Sequence, residues 1–237
     1  MAIYMWREEP ILDYLCFTAI SANSSIALTN NGNPTAVTLE ISTDGVNWTT
    51  YIMSNYIPLS NIWDKVYFRN TSTTTTGFSL DGSNYYNFVI RWSVAASWDV
   101  TSLINKNCTD TLVWNYCFYI LFYNCSGLVT APILPATTLT QNCYRSMFQH
   151  CTNLEEIPKL PAITLTNGCY YSMFSWCSKI KLSETQTWEY QTLYRIPTTW
   201  TWTTLIDSLN EMFTSTWWTF TWRPSINTTY YTSNTVI

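Results

Sequence analysis

The sequence predicts an α+β protein in which a small antiparallel β-sandwich is followed by a short solenoid of 26-residue repeats with a degenerate C-terminal cap. Three observations support this prediction: short β-prone segments separated by turn residues, a cysteine-bounded motif that recurs every 26 residues, and the decay of that motif past Ile180. Such repeats stack because one unit alone cannot bury its apolar side. The predicted divisions are an N-terminal arm (1–10), a β-sandwich-like domain (11–97), the repeat solenoid (98–182) and a degenerate repeat with a cap (183–237).

The N-terminal domain is predicted from alternating apolar residues and from turn chemistry. The segment "TLEIS" alternates, Asp44-Gly45 is a hairpin-turn signal, and "NWTTYIM" supplies the returning strand. Further strand candidates are "SSIALTN", "KVYFR" and "NFVIRW". Several short strands at this spacing indicate a small antiparallel sandwich.

The repeats begin at Cys117, Cys143 and Cys169 with the nonapeptides "CFYILFYNC", "CYRSMFQHC" and "CYYSMFSWC". Apolar residues stand at offsets 0, 1, 4, 5 and 8 from the first cysteine, which at about 100° per residue places them in one arc of a helix. The prolines that follow end the helix, so a short strand and a loop are expected there. The predicted helices span 117–125, 143–151 and 169–177, and "SLNEMF" at 208–213 predicts a shorter one in a degenerate repeat.

These units resemble BspA-like leucine-rich repeats, whose common form reads roughly Cys-Tyr-x-x-Met-Phe-x-Gly-Cys-x-x-Leu followed by Leu-Pro-Ala-Thr-Thr-Leu. The resemblance covers residues 98–182 and implies a leucine-rich-repeat solenoid. Proteins with such repeats occur on bacterial surfaces and in phages, and are considered adhesive or structural. We therefore expect a non-enzymatic phage virion protein, tail-associated or receptor-binding, whose partners are other virion proteins or a host-surface protein or glycan. The alternatives are a bacterial cell-surface adhesin and, less favoured, a carbohydrate-active enzyme.

The start of the chain and its charge bear on where the protein acts. Arg7, Glu8, Glu9 and Pro10 stand where a secretory signal requires an apolar core, and no run of about 18 apolar residues follows. A virion component that assembles in the host cytoplasm fits this pattern better than an exported adhesin. With 11 basic and 15 acidic residues and no basic cluster, neither nucleic acid nor membrane insertion is expected. Because the units are few, they are expected to dock on the β-domain or to self-associate.

The sequence offers no metal or catalytic pattern. Two helical cysteines eight apart would lie about 12 Å from each other, beyond the roughly 7 Å limit for a disulfide, so the repeat cysteines are predicted to be buried and reduced. His150 is the single histidine, and no Cys-x-x-Cys is present. The adjacent pairs Glu8-Glu9 and Glu155-Glu156 cannot flank a sugar as a glycosidase pair does. We expect no catalytic residue, no cofactor and no metal.

Binding residues are predicted from variation among the repeats. Offsets 2, 3, 6 and 7 differ most between units and project away from the predicted apolar stripe. Variable side chains on a fixed scaffold are how repeat proteins present partner sites. The candidate binding residues are Arg145, Ser146, Gln149, His150, Tyr171 and Ser172.

The tryptophans are unusual in number and place. Trp176 stands where the resembled repeat has glycine, and "TTWTWTT" and "STWWTFTWRP" would be ordinary turn sequences with glycine. One hypothesis is that these residues are glycines encoded by a UGA codon that the source reads as Gly; the other is an aromatic-rich binding face. Only Trp6 and Trp48 look native to their contexts. The suspect positions are Trp63, Trp98, Trp114, Trp176, Trp188, Trp200, Trp202, Trp217, Trp218 and Trp222, with Trp92 as a further candidate.

Overall fold

The computed structural model describes residues 14–196, 199–200, 207–218 and 229–237. This part of the chain is 31% strand and 2% helical, in several sheets and with no solenoid detected. The predicted α+β class with a leucine-rich-repeat solenoid is therefore wrong, and the described residues are nearly all β. Their one helical segment is a 3-10 helix, Val100–Leu103, which begins where the Asp99 carboxylate accepts a hydrogen bond from the Thr101 amide. The predicted N-terminal arm lies outside the described residues.

Two sheets face each other in the N-terminal part. In the smaller, β2 (Ser24–Asn31) lies between β5 (Ile57–Leu59) and β7 (Tyr85–Arg91), and both pairings are antiparallel. The larger begins with five antiparallel strands in the order β4 (Thr49–Thr50), β3 (Leu39–Ser42), β6 (Lys65–Asn70), β1 (Cys16–Ala19) and β8 (Val94–Ser97). Asp44-Gly45 lies in the connection between β3 and β4, as the hairpin signal predicted.

Aromatic side chains from both sheets form the core between them. The Phe88 ring of the smaller sheet lies 4.9 Å from the Phe17 ring and 5.4 Å from the Phe68 ring of the larger. All three side chains are fully buried. Ring pairs at these distances add to the free energy gained from burying each ring.

The larger sheet continues into the repeats. Strand β8 pairs in parallel with β9 (Leu128–Thr130), β9 with β10 (Glu156–Ile157), and β10 with β17 (Thr235–Val236), which gives eight strands in one sheet. Strands β9 and β10 follow successive nonapeptides, so the second repeat places its strand beside that of the first. The N-terminal part and the repeats therefore share one hydrogen-bonded sheet.

The remaining strands form two small sheets. In the first, β11 (Thr164–Leu165) pairs with β14 (Thr199–Trp200). The second has the order β13 (Thr192–Arg195), β16 (Thr229–Thr232), β12 (Lys181–Ser183) and β15 (Trp217–Trp218).

The three nonapeptides are chains of β-turns, so the helices predicted for them are wrong. Every fourth residue has a left-handed backbone, with φ of 58° at Tyr116, 49° at Ile120 and 61° at Asn124. An L-residue in this region cannot continue a right-handed helix. The equivalent residues of the next two units are Asn142, Ser146, His150, Gly168, Ser172 and Trp176. The degenerate unit at 208–213 is also turns, with positive φ at Glu211 and Ser215.

Along each nonapeptide, backbone amides donate alternately to a carbonyl of the same turn and to a carbonyl of the neighbouring unit. The Tyr119 amide donates to the Tyr116 carbonyl three residues back at 2.9 Å, whereas the Phe118 amide donates to the Cys143 carbonyl of the next unit at 2.8 Å. The same alternation links the second unit to the third, where the Tyr144 amide donates to the Cys169 carbonyl at 3.0 Å. Each turn segment is thus held flat against its neighbour by a row of backbone hydrogen bonds.

Equivalent side chains stack in columns through the units. Four phenylalanine rings stack 5.5 to 5.6 Å apart, namely Phe122, Phe148, Phe174 and Phe213. A second column contains Phe118, Tyr144 and Tyr170. The repeat cysteines are buried, as predicted, and the Sγ atoms of Cys125, Cys151 and Cys177 each donate to a phenylalanine carbonyl one step earlier in the stack at 3.0 Å.

Candidate binding surface

A row of tyrosines with one arginine lies on the outer side of the turns. Tyr119, Arg145 and Tyr171 stand two residues after the first cysteine of consecutive units, and each is half-buried. Tyr116 and Tyr85 extend the row, with ring centroids 5.7 and 5.9 Å from that of Tyr119. The Arg145 guanidinium carbon lies 4.2 Å from the centre of the Tyr171 ring. We name these five residues the tyrosine strip.

Burial raises the pKa of two phenols of the strip, Tyr119 and Tyr171. Burial raises the pKa of Tyr119, and the nearby Arg145 charge only partly opposes that rise. Burial also raises the pKa of Tyr171, and the Glu211 carboxylate beside it raises the pKa further. The Tyr171 hydroxyl bonds to the Glu211 carboxylate. The strip thus offers a partner its aromatic rings and the Tyr119 hydroxyl, next to the permanent charge of Arg145.

The six predicted binding residues divide between the surface and the interior. Arg145 and Tyr171 belong to the tyrosine strip, and Gln149 and His150 are half-buried. Ser146 and Ser172 are only 7% and 1% exposed, because offset 3 is a left-handed turn residue. The Ser172 hydroxyl donates to the Glu211 carboxylate at 3.1 Å. These two serines are not available to a partner.

A second aromatic row includes the single histidine. The His150 ring stacks on Trp176 at 5.6 Å and lies edge-on to Tyr123 at 5.7 Å. Tyr123 and Trp176 are exposed. His150 therefore packs between two aromatic rings of neighbouring units.

An open groove lies where the C-terminal strand meets the repeats. Glu155 and Lys179 form an ion pair across it. The Asn234 side-chain amide donates to the main-chain carbonyls of Glu155 and Lys179 at 2.8 and 3.0 Å, and its oxygen accepts from the Lys181 amide at 2.8 Å. These polar groups are satisfied within the protein and join the chain end to the repeats.

Within residues 14–196, 199–200, 207–218 and 229–237, no group of three or more His, Cys, Asp or Glu side chains could hold a metal ion. No helix of that part of the chain has the length and apolarity to cross a membrane. Glu8 and Glu9 lie outside the described residues, whereas Glu155 is exposed and Glu156 lies in β10.

Three members of the strip are absent from the six predicted binding residues: Tyr119, which stands at a variable offset of the repeat, and Tyr85 and Tyr116. Tyr85 comes from β7 and Tyr116 precedes the first cysteine, so neither belongs to a variable offset of the repeat. Hydrogen bonds from β7 to the first repeat, such as that from the Phe88 amide to the Leu121 carbonyl at 2.8 Å, bring Tyr85 beside Tyr119. Comparison of the chain with protein-family models, with curated proteins and with solved structures finds no match.

Proposed function

We propose that this chain is a non-enzymatic binding protein of a phage virion, tail-associated or receptor-binding, which contacts its partner through the tyrosine strip. The observation that carries the proposal is the alignment of Tyr119, Arg145 and Tyr171 at one position of three hydrogen-bonded units. Tyrosine and arginine are enriched at binding hot spots because they combine a large contact area with hydrogen bonding. Side chains already held in place lose little conformational entropy on binding.

The virion location is supported by the resemblance of the repeats to BspA-like units, which occur in phages. The same strip would serve a bacterial cell-surface adhesin, which is the second candidate. In either case the partner is another surface or virion protein, or a host glycan. Identification of the chain by peptide mass spectrometry in purified virions supports the first candidate, and its recovery only from cell-surface fractions supports the second.

Binding to host cells tests the role of the strip. We expect Arg145→Ala and Tyr171→Ala to weaken binding of the purified chain to cells by about tenfold or more each, as hot-spot residues do. Val46→Ala is the matched control, because Val46 is an exposed apolar residue of the β3–β4 connection, outside the strip. Equal binding by all three variants would refute the proposal. Protease or glycosidase treatment of the cells then distinguishes a protein partner from a glycan.

A further inference from the structure

The tryptophans of the described residues fall into two groups. Trp48 is half-buried and packed, with the Arg69 guanidinium carbon 3.8 Å from its ring centre and the Tyr14 ring edge-on at 5.1 Å. Six others are 41 to 88% exposed and lie in turns or bends, namely Trp63, Trp92, Trp98, Trp114, Trp176 and Trp188. Large aromatic side chains are ordinarily buried to a high degree.

Four of the six have a backbone that favours glycine. The φ angle is 75° at Trp63 and 64° at each of Trp92, Trp98 and Trp176. For a bulky L-residue this region is an outlier, because the Cβ atom approaches the carbonyl oxygen, whereas glycine has no Cβ and adopts it freely.

The turn that contains Trp63 illustrates the preference. The Asp64 amide donates to the Asn61 carbonyl at 3.1 Å, so Trp63 is the third residue of a four-residue turn. Of the two central residues only Trp63 has a positive φ, which is the pattern of a type II turn. That turn type takes glycine at this position.

At Trp176 the repeat itself fixes the backbone. The equivalent residues Asn124 and His150 have φ of 61° and 64°, and the Trp176 amide donates to the Thr214 carbonyl of the next unit at 2.7 Å. The left-handed conformation therefore belongs to the position, whatever its side chain. The Trp176 indole has one stacking partner, His150, and remains half exposed.

The composition points in the same direction. Six glycines in 237 residues are about 2.5%, whereas proteins average about 7%. Of the 13 tryptophans, all but Trp6 and Trp48 are suspect, which leaves eleven. Counting those eleven as glycine gives 17 in 237 residues, or about 7%.

We infer that Trp63, Trp92, Trp98 and Trp176 are glycines in the protein as its source makes it. The other suspect positions are then glycines for the same reason. The cause is a UGA codon that the source reads as glycine. The competing hypothesis is an aromatic-rich binding face, which requires the exposed tryptophans to lie together. Among the described residues, no ring contact joins any of the six exposed indoles to another of the six. One of them, Trp176, stacks on His150.

The remaining suspect positions rest on sequence context. Trp114 and Trp188 are exposed in bends, with φ outside the left-handed region. The sequence predicts Trp200, Trp217 and Trp218 in turns or on the surface; their backbones lie in the two-residue strands β14 and β15 and not in turns. Trp6, Trp202 and Trp222 lie outside the described residues.

Peptide mapping of the protein from its native source tests the inference directly. We expect glycine at all eleven suspect positions and tryptophan at Trp6 and Trp48. The intact mass should be lower by eleven differences between tryptophan and glycine. Tryptophan found at any of the four positions with positive φ would overturn the inference.

A recombinant comparison gives an independent result. Replacing Trp63, Trp92 or Trp98 by glycine should raise the melting temperature by roughly 2–8 °C each, because a strained conformation is relieved. The control Trp48→Gly should lower it, because the packing with Arg69 and Tyr14 is lost. If the three substitutions lower the melting temperature as Trp48→Gly does, the inference is wrong.

Discussion

Tyr144 and Tyr170 are buried in the repeat core, and among the described residues neither phenol oxygen has a hydrogen-bond partner. Their rings stack 6.0 Å apart and nearly parallel. An unpaired buried hydroxyl costs free energy because it gives up its hydrogen bonds to water. These tyrosines therefore contribute through ring stacking, and their hydroxyls oppose folding.

Removing one of these hydroxyls should stabilise the protein. We predict that Tyr144→Phe raises the free energy of unfolding by about 1 kcal/mol, measured by urea denaturation. Tyr51→Phe is the matched control, because its hydroxyl accepts from the Leu28 amide and donates to the Asn55 carbonyl, each at 2.9 Å. That control should lose about 1 kcal/mol or more. A loss of stability in Tyr144→Phe equal to the control would indicate an internal water on the hydroxyl.

The buried thiols make the fold sensitive to alkaline pH. Burial raises the pKa of Cys169 to about 11 and the pKa of Cys117 and Cys143 well above the ordinary thiol value. A raised folded-state pKa gives stability that is present below the unfolded pKa, near 8.5, and lost as pH rises toward the folded pKa.

We predict that the free energy of unfolding falls by about 1.4 kcal/mol per pH unit for each such thiol once pH exceeds about 9. Melting temperatures between pH 7 and 10.5 measure this loss. Cys169→Ala should show a shallower decline than the parent chain. An identical decline in the two proteins would show that this thiol does not titrate as its burial requires.

In each nonapeptide the apolar residues stand at offsets 0, 1, 4, 5 and 8 from the first cysteine, and this pattern is compatible with two secondary structures. It lies in one arc of an α-helix, but it is also a strict four-residue repeat, which matches a chain of four-residue turns. The period of 26, the buried cysteines and the aligned phenylalanines could be predicted from the sequence. The choice of turns depends on backbone angles at residues such as Tyr116 and Ile120, which give no turn signal of their own.

The N-terminal strands were easier to predict because each carries its own signal. The predicted segment "SSIALTN" corresponds to β2, and "KVYFR" to β6. Tyr116 and Tyr85 of the tyrosine strip could not be found in this way, because the hydrogen bonds that hold β7 against the first repeat, such as that from the Phe88 amide to the Leu121 carbonyl, join residues more than 30 apart in sequence. Sequence-local patterns contain no information on such pairing.

Gly127 marks the point where β9 joins β8. A Cβ atom there would lie 1.8 Å from the Trp92 carbonyl oxygen, so the chains would have to separate. We predict that Gly127→Ala lowers the free energy of unfolding by about 2 kcal/mol or more, in the range expected for overpacking. Gly82→Ala is the control: its nearest neighbour would be the Tyr119 hydroxyl at 3.8 Å, so it should be neutral or slightly stabilising. Similar melting temperatures for the two variants would contradict the close approach.

At the scale of the whole molecule, the N-terminal part and the repeats share a core as well as a sheet. The Phe88 ring stacks on Phe122 at 5.2 Å, and the Phe88 amide donates to the Leu121 carbonyl at 2.8 Å. The Cys125 thiol donates to the Phe88 carbonyl. Neither part can therefore unfold without exposing apolar surface of the other.

We predict one cooperative unfolding transition for residues 14–196. Circular dichroism, which reports the sheets, and labelling of Cys151, which reports the repeats alone, should give the same urea midpoint. Phe88→Ala should shift both midpoints together. Two separate midpoints would show that the shared sheet does not couple the two parts.

Each repeat offers the same backbone acceptors to the repeat before it, in a ladder of hydrogen bonds between units. The Phe118 amide donates to the Cys143 carbonyl, and the Tyr144 amide donates in the same way to the Cys169 carbonyl. Excision of residues 117–142 would present the Met147 carbonyl to the Phe88 amide where the Leu121 carbonyl now stands, but it would place Asn153 where Gly127 now approaches the Trp92 carbonyl. Recombination between the similar coding segments therefore keeps the ladder and the close approach together only where the first unit, with its Gly127, is retained. Each such event would shorten or lengthen the tyrosine strip by one side chain, and a lineage could change its partner by copy number alone.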